Sequence, residues 1–405
     1  MKIHMLHNEE FIIEEKKIED LRHFSEDEIN EKYIKGEIRI VTEQARYHLY
    51  TIPEMLSSKK FNLNPEYQRR KRWSNNQKSK LIESFIINVP IPPIFLYEEN
   101  FAEYEVMDGL QRLTAISDFY ENKFSLEDLE QWSELNGKKY CELPKKIQEG
   151  IDRRYLSSII LLNETAKTKE QSEYLKQFVF ERLNSGGEKL VAQETRNALY
   201  SGPFNSLCLK LSENNNFRKM YKFPLIEREG DKITNEIELL KNEAFRKMSD
   251  VELVLRFFSY RHLDKMKSTS QEIFLGEFLK QANKFSKDTL DQYEKIFTET
   301  IDVLYEIYGE SAFFMPSTIG QQKSTPTKTI FDPLMQVISN KLENKKLLLE
   351  NKKSIKEETF KDQKKLYIKE KTKNDELFDG KYNNPSNVFA RMKYFDEIIE
   401  SVIKK

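Results

Sequence analysis

The chain has 405 residues, enough for two or three domains rather than one simple core. Charged residues make up 33% and hydrophobic residues 38%, but 27 Phe and 19 Tyr supply large apolar side chains, which excludes a chain that is disordered throughout. The net charge of −1 excludes nucleic-acid binding driven by overall charge, so any basic surface must be local.

Gly and Pro are scarce, at 12 each, which predicts much helix and few tight turns. Cys141 and Cys208 are the two cysteines; they exclude a disulfide framework or a Cys-rich zinc site and fit a reducing compartment. The N-terminus turns acidic at once, unlike a secretory signal. Apolar runs, such as Ile159 to Leu162, are too short for a membrane span. No membrane partner is expected, and the cytoplasm is the expected location.

In chain order, residues 1–37 read as an acidic, weakly periodic arm, mobile or a peripheral helix. Ile38 to Val41 is a candidate strand. From Lys59 to Lys80 eight Lys or Arg stand against the single acid Glu66. Gln77 to Asn88 reads as a helix, with Leu81, Ile82, Phe85 and Ile86 at helical spacing and Val89-Pro90 as the stop. Ile94 to Tyr97 and Tyr104 to Met107 read as a strand pair. A helix over Leu110 to Tyr120 follows, then a strand over Ser158 to Leu162. Helices are predicted over 168–183, 191–200, 203–213, 249–263, 271–284 and 287–308. Residues 340–376, dense in Lys and Glu, read as an exposed helix or linker. The pattern is α+β: a mixed region over 38–190, then a helical domain over 191–405.

Three stretches can carry chemistry. In Asp108-Gly109-Leu110-Gln111-Arg112 a strand ends, glycine turns the chain and a helix begins. Free backbone N–H groups at such a turn suit an anion, and the guanidinium of Arg112 suits phosphate. Asp108 can hold a metal ion or orient water, and Gln111 can position a nucleophile. The plainer reading of the same residues is a helix cap at Asp108 and a surface ion pair at Arg112. The second stretch sets Arg69, Arg70, Lys71 and Arg72 between Tyr67 and Trp73, with Gln68 beside them. That suits nucleic acid or nucleotide phosphate, or else a solvated basic loop. The third runs from Asn184 through Gly186-Gly187 to Gln193, Glu194, Arg196 and Asn197. Gln193, Arg196 and Asn197 share one helical face; a glycine C-cap and routine surface residues are the plainer account. A P-loop sequence is absent, and His4, His7, His23, His48 and His262 form no zinc or His-Asn-His pattern.

Taken together, these stretches resemble the GmrSD restriction endonuclease N-terminal domain family. The ordered motifs are Pro65 to Arg69, Trp73, Leu81 to Ser84, Pro90-Ile91-Pro92, Asp108 to Leu113, Phe180 to Gly187 and Gln193 to Asn197, within residues 38 to 260. The family usually has Gln where Leu110 stands. The resemblance implies a small ParB/sulfiredoxin-like α/β domain that binds a nucleoside triphosphate, with Mg²⁺-dependent hydrolysis, in a restriction-type anti-phage defence system that acts on or senses DNA, modified phage DNA included. It implies phosphate-gripping roles for Arg112 and Arg69, roles for Asp108 and Gln111 toward Mg²⁺ or water, backbone donors at Gly109, and a pocket wall of Gln68, Glu194, Arg196 and Asn197. Tyr67, Asn184 and Gln193 fall in the matching motifs as nucleotide-site candidates, and Arg70, Lys71 and Arg72 are the DNA-contact candidates. The H-x-x-P nuclease signature of many relatives is lacking, which points to a nuclease partner. The helical domain is the candidate surface for that partner or for a second copy. A non-enzymatic DNA-binding regulator is the alternative, and a nuclease acting alone ranks below both.

Overall fold

The computed structural model describes residues 5–13, 25–35, 40–58, 60–63, 73–162, 168–183, 191–230, 232–266, 269–316, 322–366, 378 and 384–404. The chain divides into two compact units, one of Lys17–Leu190 and one of Met1–Lys16 with Val191–Lys405.

The first unit is built on a five-stranded mixed sheet. Its elements in order are α1 (Glu26–Lys35), β1 (Thr42–His48), α2 (Ile52–Ser57), β2 (Phe61–Asn62), α3 (Asn75–Ile87), β3 (Ile94–Asn100), β4 (Glu103–Asp108), α4 (Leu110–Tyr120), α5 (Lys145–Asp152), β5 (Tyr155–Leu161) and α6 (Lys169–Leu183). The strand order is β1-β5-β3-β4-β2. Strands β1 and β5 are antiparallel, β5 and β3 parallel, β3 and β4 antiparallel, and β4 and β2 parallel. Ile94, Leu96, Val106, Leu156 and Ile160 bury their side chains in one core with Leu81, Ile82 and Phe85 of α3 and Leu113, Ile116 and Phe119 of α4.

Local signals explain the helix limits. Ser74 caps α3 by accepting from Gln77 N–H, and Gln77 Oε1 accepts from Ser74 N–H. Asn88 ends the helix in the left-handed region at φ 64°, just before Val89-Pro90. Strand β1 begins at Thr42, after the predicted strand over Ile38 to Val41; Ile40 and Val41 are outside any strand, and 38–39 lie outside the described residues. Its sequence, TEQARYH, is polar because β1 is an edge strand that relies on the backbone ladder to β5. Hydrophobic alternation is a poor guide to such a strand.

Glu83, on α3, is buried, and its carboxylate accepts the backbone N–H groups of Glu130, Gln131 and Trp132 at 3.2, 2.7 and 3.0 Å. Glu83→Ala should therefore lower stability by about 1–3 kcal/mol, since three backbone amides lose the acceptor that a buried carboxylate gives them. Glu83→Gln should recover part of that loss, as the urea midpoints of the two variants would report.

The second unit is helical. It comprises α7 (Ala192–Leu199), α8 (Pro203–Ser212), α9 (Asn215–Tyr221), α10 (Glu236–Lys241), α11 (Glu243–Arg246), α12 (Ser249–Ser259), α13 (Gln271–Ala282), α14 (Lys287–Tyr308), α15 (Lys328–Ser339), α16 (Lys345–Glu350), α17 (Lys352–Leu366) and α18 (Pro385–Ile403). The predicted helix over 249–263 is α-helical only to Ser259 and continues as a 3₁₀ turn over Tyr260–Lys265. The charged segment 340–376 forms α16 and α17, with Leu348 and Ile355 buried; residues 367–377 lie outside the described ones. The core is aromatic: Phe204, Phe258, Tyr293 and Phe297 meet mostly edge to face.

Residues 5–13, expected as part of a mobile or peripheral helical arm, form a non-helical strap in this unit, with a turn at His7–Asn8. Phe11 is buried against His262, Phe274 and Phe278. Gln281 grips the backbone of Ile12 from both sides, accepting its N–H at 3.1 Å and donating to its carbonyl at 2.7 Å. Glu9 accepts from Arg261 Nε at 2.8 Å, Arg261 Nη2 at 3.0 Å and Tyr293 OH at 2.7 Å. Among the described acids of the arm, Glu9 is buried and Glu10, Glu26, Asp27, Glu28 and Glu31 are exposed.

Candidate functional site

Strand β4 ends at Asp108, Gly109 turns the chain, and α4 starts at Leu110. Gly109 has φ +96°, and a Cβ there would lie 2.3 Å from Ile94 Cγ2. Both the backbone conformation and the close approach of β3 require glycine. No side chain caps α4, so its first-turn N–H groups remain available at the turn.

Arg112 lies back over this turn. Its Nη2 donates to Asp108 Oδ2 at 2.7 Å, and its Nη1 donates to the carbonyls of Pro92 and Pro93, the latter at 3.3 Å. Its side chain is 13% exposed, while that of Asp108 is 51% exposed. Burial lowers the pKa of Arg112, against the opposing pull of Asp108; an arginine starts so high that it stays charged. Pro92 and Pro93 thus supply the backbone acceptors that fix this guanidinium, a role with no side-chain signal in the sequence.

Gln111 faces another neighbour: its Oε1 accepts the N–H of Trp73 at 3.2 Å. Leu110, at the position where the resemblance leads one to expect Gln, is buried in the hydrophobic core beneath the turn. Its side chain is part of the packing.

The basic run Arg69, Arg70, Lys71 and Arg72, with Tyr67 and Gln68, lies outside the described residues, as does Asn184. Gln193, Glu194, Arg196 and Asn197 are all buried on α7, in the helical unit. Glu194 Oε2 accepts Val191 N–H at 2.9 Å and so caps its own helix. Arg196 donates from Nε to Gln193 Oε1 at 2.9 Å and from Nη2 to Glu252 Oε2 at 3.0 Å. Burial lowers the pKa of Arg196, and Glu252 opposes that. Glu252 also accepts from Lys328 Nζ at 2.7 Å. Reasoning from motifs missed Glu252 and Lys328, because no local pattern connects α12 and the start of α15 with α7.

Among the described residues no group of three or more His, Cys, Asp or Glu is placed to hold a metal ion. Asp108 as a lone carboxylate fits only an ion carried largely by the phosphates of its nucleotide, which is how Mg²⁺ is commonly held. Among the described residues no helix is long and apolar enough to cross a membrane.

A family model described as GmrSD restriction endonuclease, N-terminal domain, matches residues 52–201. The match is narrower than the 38 to 260 over which the motifs resemble the family, and it takes in strands β2 to β5, the Asp108 to Arg112 turn and α7. No curated protein and no solved structure matches the chain. The turn, the Pro-rich approach to β3 and the buried polar face of α7 all fall inside the segment, residues 52–201, that is similar to the GmrSD restriction endonuclease N-terminal domain.

Proposed function

We propose that the chain handles phosphate groups of nucleotide and DNA at the Asp108 to Arg112 turn, as an NTP-binding and NTP-hydrolysing component of a restriction-type system. The observation that carries this reading is the hydrogen bond from Trp73 N–H to Gln111 Oε1, because the basic run ends at Arg72, one residue before that anchor. Uncapped helix amides and a half-exposed carboxylate meet at that turn, and the basic run precedes the Trp73 anchor in sequence. The amides of α4 would receive phosphate oxygens, and Arg112 would hold the turn in shape through Pro92, Pro93 and Asp108. Asp108 would orient a phosphate-borne Mg²⁺ or a water. Mg²⁺ would supply charge neutralisation at the transferred phosphoryl group. Tyr67, Gln68 and Arg69 would line the same neighbourhood.

The test is calorimetric titration of the full chain with ATP, GTP, CTP and UTP in Mg²⁺. The Gln111→Ala/Arg112→Ala variant should lose binding, by at least tenfold. Asp108→Asn should keep binding and lose hydrolysis. Normal binding by the double variant would defeat the assignment.

One observation favours a second reading. The guanidinium of Arg112 is engaged by its own chain, as suits a fixed platform rather than a mobile catalytic group. In that reading the protein is a DNA-binding regulator that hydrolyses nothing, and the basic run tracks the backbone. Affinity for duplex DNA should then fall steeply with salt, on the order of one logarithmic slope unit per phosphate contact. A nuclease partner or a second copy would dock on the helical unit.

A further inference from the structure

The sheet has two faces, and β1 presents different chemistry on each. Ala45 and Tyr47 pack against the hydrophobic core, so alternation turns Thr42, Gln44, Arg46 and His48 to the opposite face. On that face the ladder sets His48 opposite Tyr155 and Arg46 opposite Ser157 of β5. Further along β5, Ile159 and Leu161 share a hollow with Phe178 and Val179 of α6. At the other end the face is bare. Arg46 and His48 are exposed there, Tyr155 is 44% exposed, and Tyr50, in the 3₁₀ turn Leu49–Thr51 that follows β1, is 54% exposed.

These four side chains make a continuous row. The Arg46 guanidinium lies over the Tyr155 ring, 4.7 Å from its centroid. His48 stacks on Tyr50 with ring centroids 5.5 Å apart and an interplanar angle of 21°. The frame beneath is fixed. Leu49 is fully buried, its N–H donates to the Arg154 carbonyl at 3.2 Å, and Thr51 Oγ1 donates to the His48 carbonyl at 2.7 Å. Contiguous exposed rings on a rigid frame mark an interaction surface rather than packing. Charge gives its sign. Arg153, two residues before Tyr155, is exposed as well. Glu43 is the only acid in the sequences of β1, the 3₁₀ turn and β5, and alternation puts it on the core side with Ala45 and Tyr47. Asp152, at the end of α5, accepts from the hydroxyls of Tyr120 and Tyr140, each at 2.9 Å.

We infer that Arg46, His48, Tyr50 and Tyr155 form a binding surface for single-stranded nucleic acid. Unpaired bases stack on the exposed Tyr50 ring and on the Arg46–Tyr155 pair, while Arg46 and Arg153 meet the backbone phosphates. A guanidinium laid flat on a ring keeps its N–H edge turned outward, so Arg46 can serve both parts. A duplex hides the faces of its bases, so such rings select a strand that is already open. This rests on the reading of the chain as a protein that acts on DNA, and it adds the form of the strand. Arg46, His48 and Tyr50 all precede the segment 52–201 that matches the family model.

The experiment is fluorescence anisotropy of the full chain with a labelled oligothymidylate, an oligouridylate of the same length and a duplex. The parent should bind the single strands more tightly than the duplex. Tyr50→Leu and Tyr155→Leu should each weaken single-strand binding about tenfold, and Tyr155→Phe, which keeps the ring, should bind like the parent. Arg46→Ala should lower the logarithmic salt slope by about 0.7. Tyr50 is exposed, so the thermal transition of Tyr50→Leu should stay close to that of the parent. No single-strand binding by the parent, duplex binding as tight as single-strand binding, or unchanged affinity in both leucine variants would each overturn the inference. The last result would return the row to a protein strand pairing with the open edge of β1. Tighter binding of oligothymidylate identifies DNA as the strand, and tighter binding of oligouridylate identifies RNA. Titration with ATP separates this surface from the Asp108 to Arg112 turn, since Tyr50→Leu should bind ATP like the parent. If Gln111→Ala/Arg112→Ala keeps nucleotide binding while the leucine variants lose the oligonucleotide, the turn assignment fails and the surface stands. If it loses nucleotide binding while the leucine variants match the parent, the turn stands and the surface is refuted.

Discussion

Glu9→Ala should destabilise the helical unit by about 3–5 kcal/mol, the usual cost of removing one member of a buried charge pair. Glu9 joins Arg261, Tyr293 and the strap's own Leu6 N–H through two carboxylate oxygens. His262 Nε2 lies 3.0 Å from the same carboxylate. Burial works to raise the Glu9 pKa, but His262 and Arg261 more than offset it and hold the group at about 2. The sign of the pH effect follows from this depressed value. The contribution is fully present above the ordinary carboxylate pKa near 4.5 and is lost as pH falls toward about 2. That contribution is on the order of 3 kcal/mol, and Glu9→Ala should abolish it. Urea denaturation at pH 7 and at pH 3 checks both parts: the gap between parent and variant should shrink at the lower pH. Glu10→Ala, at the exposed neighbouring position, should change little. An undiminished gap at pH 3 would show that Glu9 is not the titrating group.

Gly109→Ala is the second large effect. A side chain at φ +96° costs about 1–2 kcal/mol. The added Cβ would also lie 2.3 Å from Ile94 Cγ2 and 2.9 Å from Ile94 Cβ, so strand β3 must shift. Overpacking of this kind typically costs a further 1–3 kcal/mol. A total loss of about 2–5 kcal/mol is expected, and the proposed nucleotide binding should weaken with it because the first-turn amides of α4 move with the turn. Gly150, in α5, has nothing within 4 Å of an added Cβ, so Gly150→Ala is the control and should be neutral or slightly stabilising. If the two substitutions had equal urea midpoints, the turn would be more adaptable than its geometry implies.

The elements that bury an apolar stripe were legible in the sequence. Helix α4 runs over Leu110–Tyr120 as predicted, and α14 over Lys287–Tyr308, because Leu113, Ile116 and Phe119 in one and Tyr293, Phe297, Ile301 and Leu304 in the other recur at helical spacing. The α+β architecture followed from that contrast with the strands. What was not legible depends on partners far along the chain. Strand β1 is polar because its ladder to β5 does the work. The strap over 5–13 is fixed by Glu9 and Phe11 meeting residues more than 250 positions away. At the turn, the motif pointed to Gly109 and Arg112, but the carbonyls of Pro92 and Pro93 and the N–H of Trp73 carry no local pattern; in the helical unit the same holds for the carboxylate of Glu252 that meets Arg196.

The strap also sets an order of events during synthesis. It leaves the ribosome well before its partners, since Arg261 lies 252 residues and Tyr293 284 residues downstream of Glu9. At roughly 5–20 residues per second, the strap waits on the order of 15–60 seconds before its last partner emerges. Throughout that interval the sheet unit can fold on contacts within Lys17–Leu190, while Phe11 stays exposed as an apolar side chain without its pocket. The helical unit is completed from both ends of the chain, so its final closure is a slow, long-range step. A nascent chain stalled before residue 293 should accordingly hold a protease-resistant sheet unit and a cleavable N-terminus.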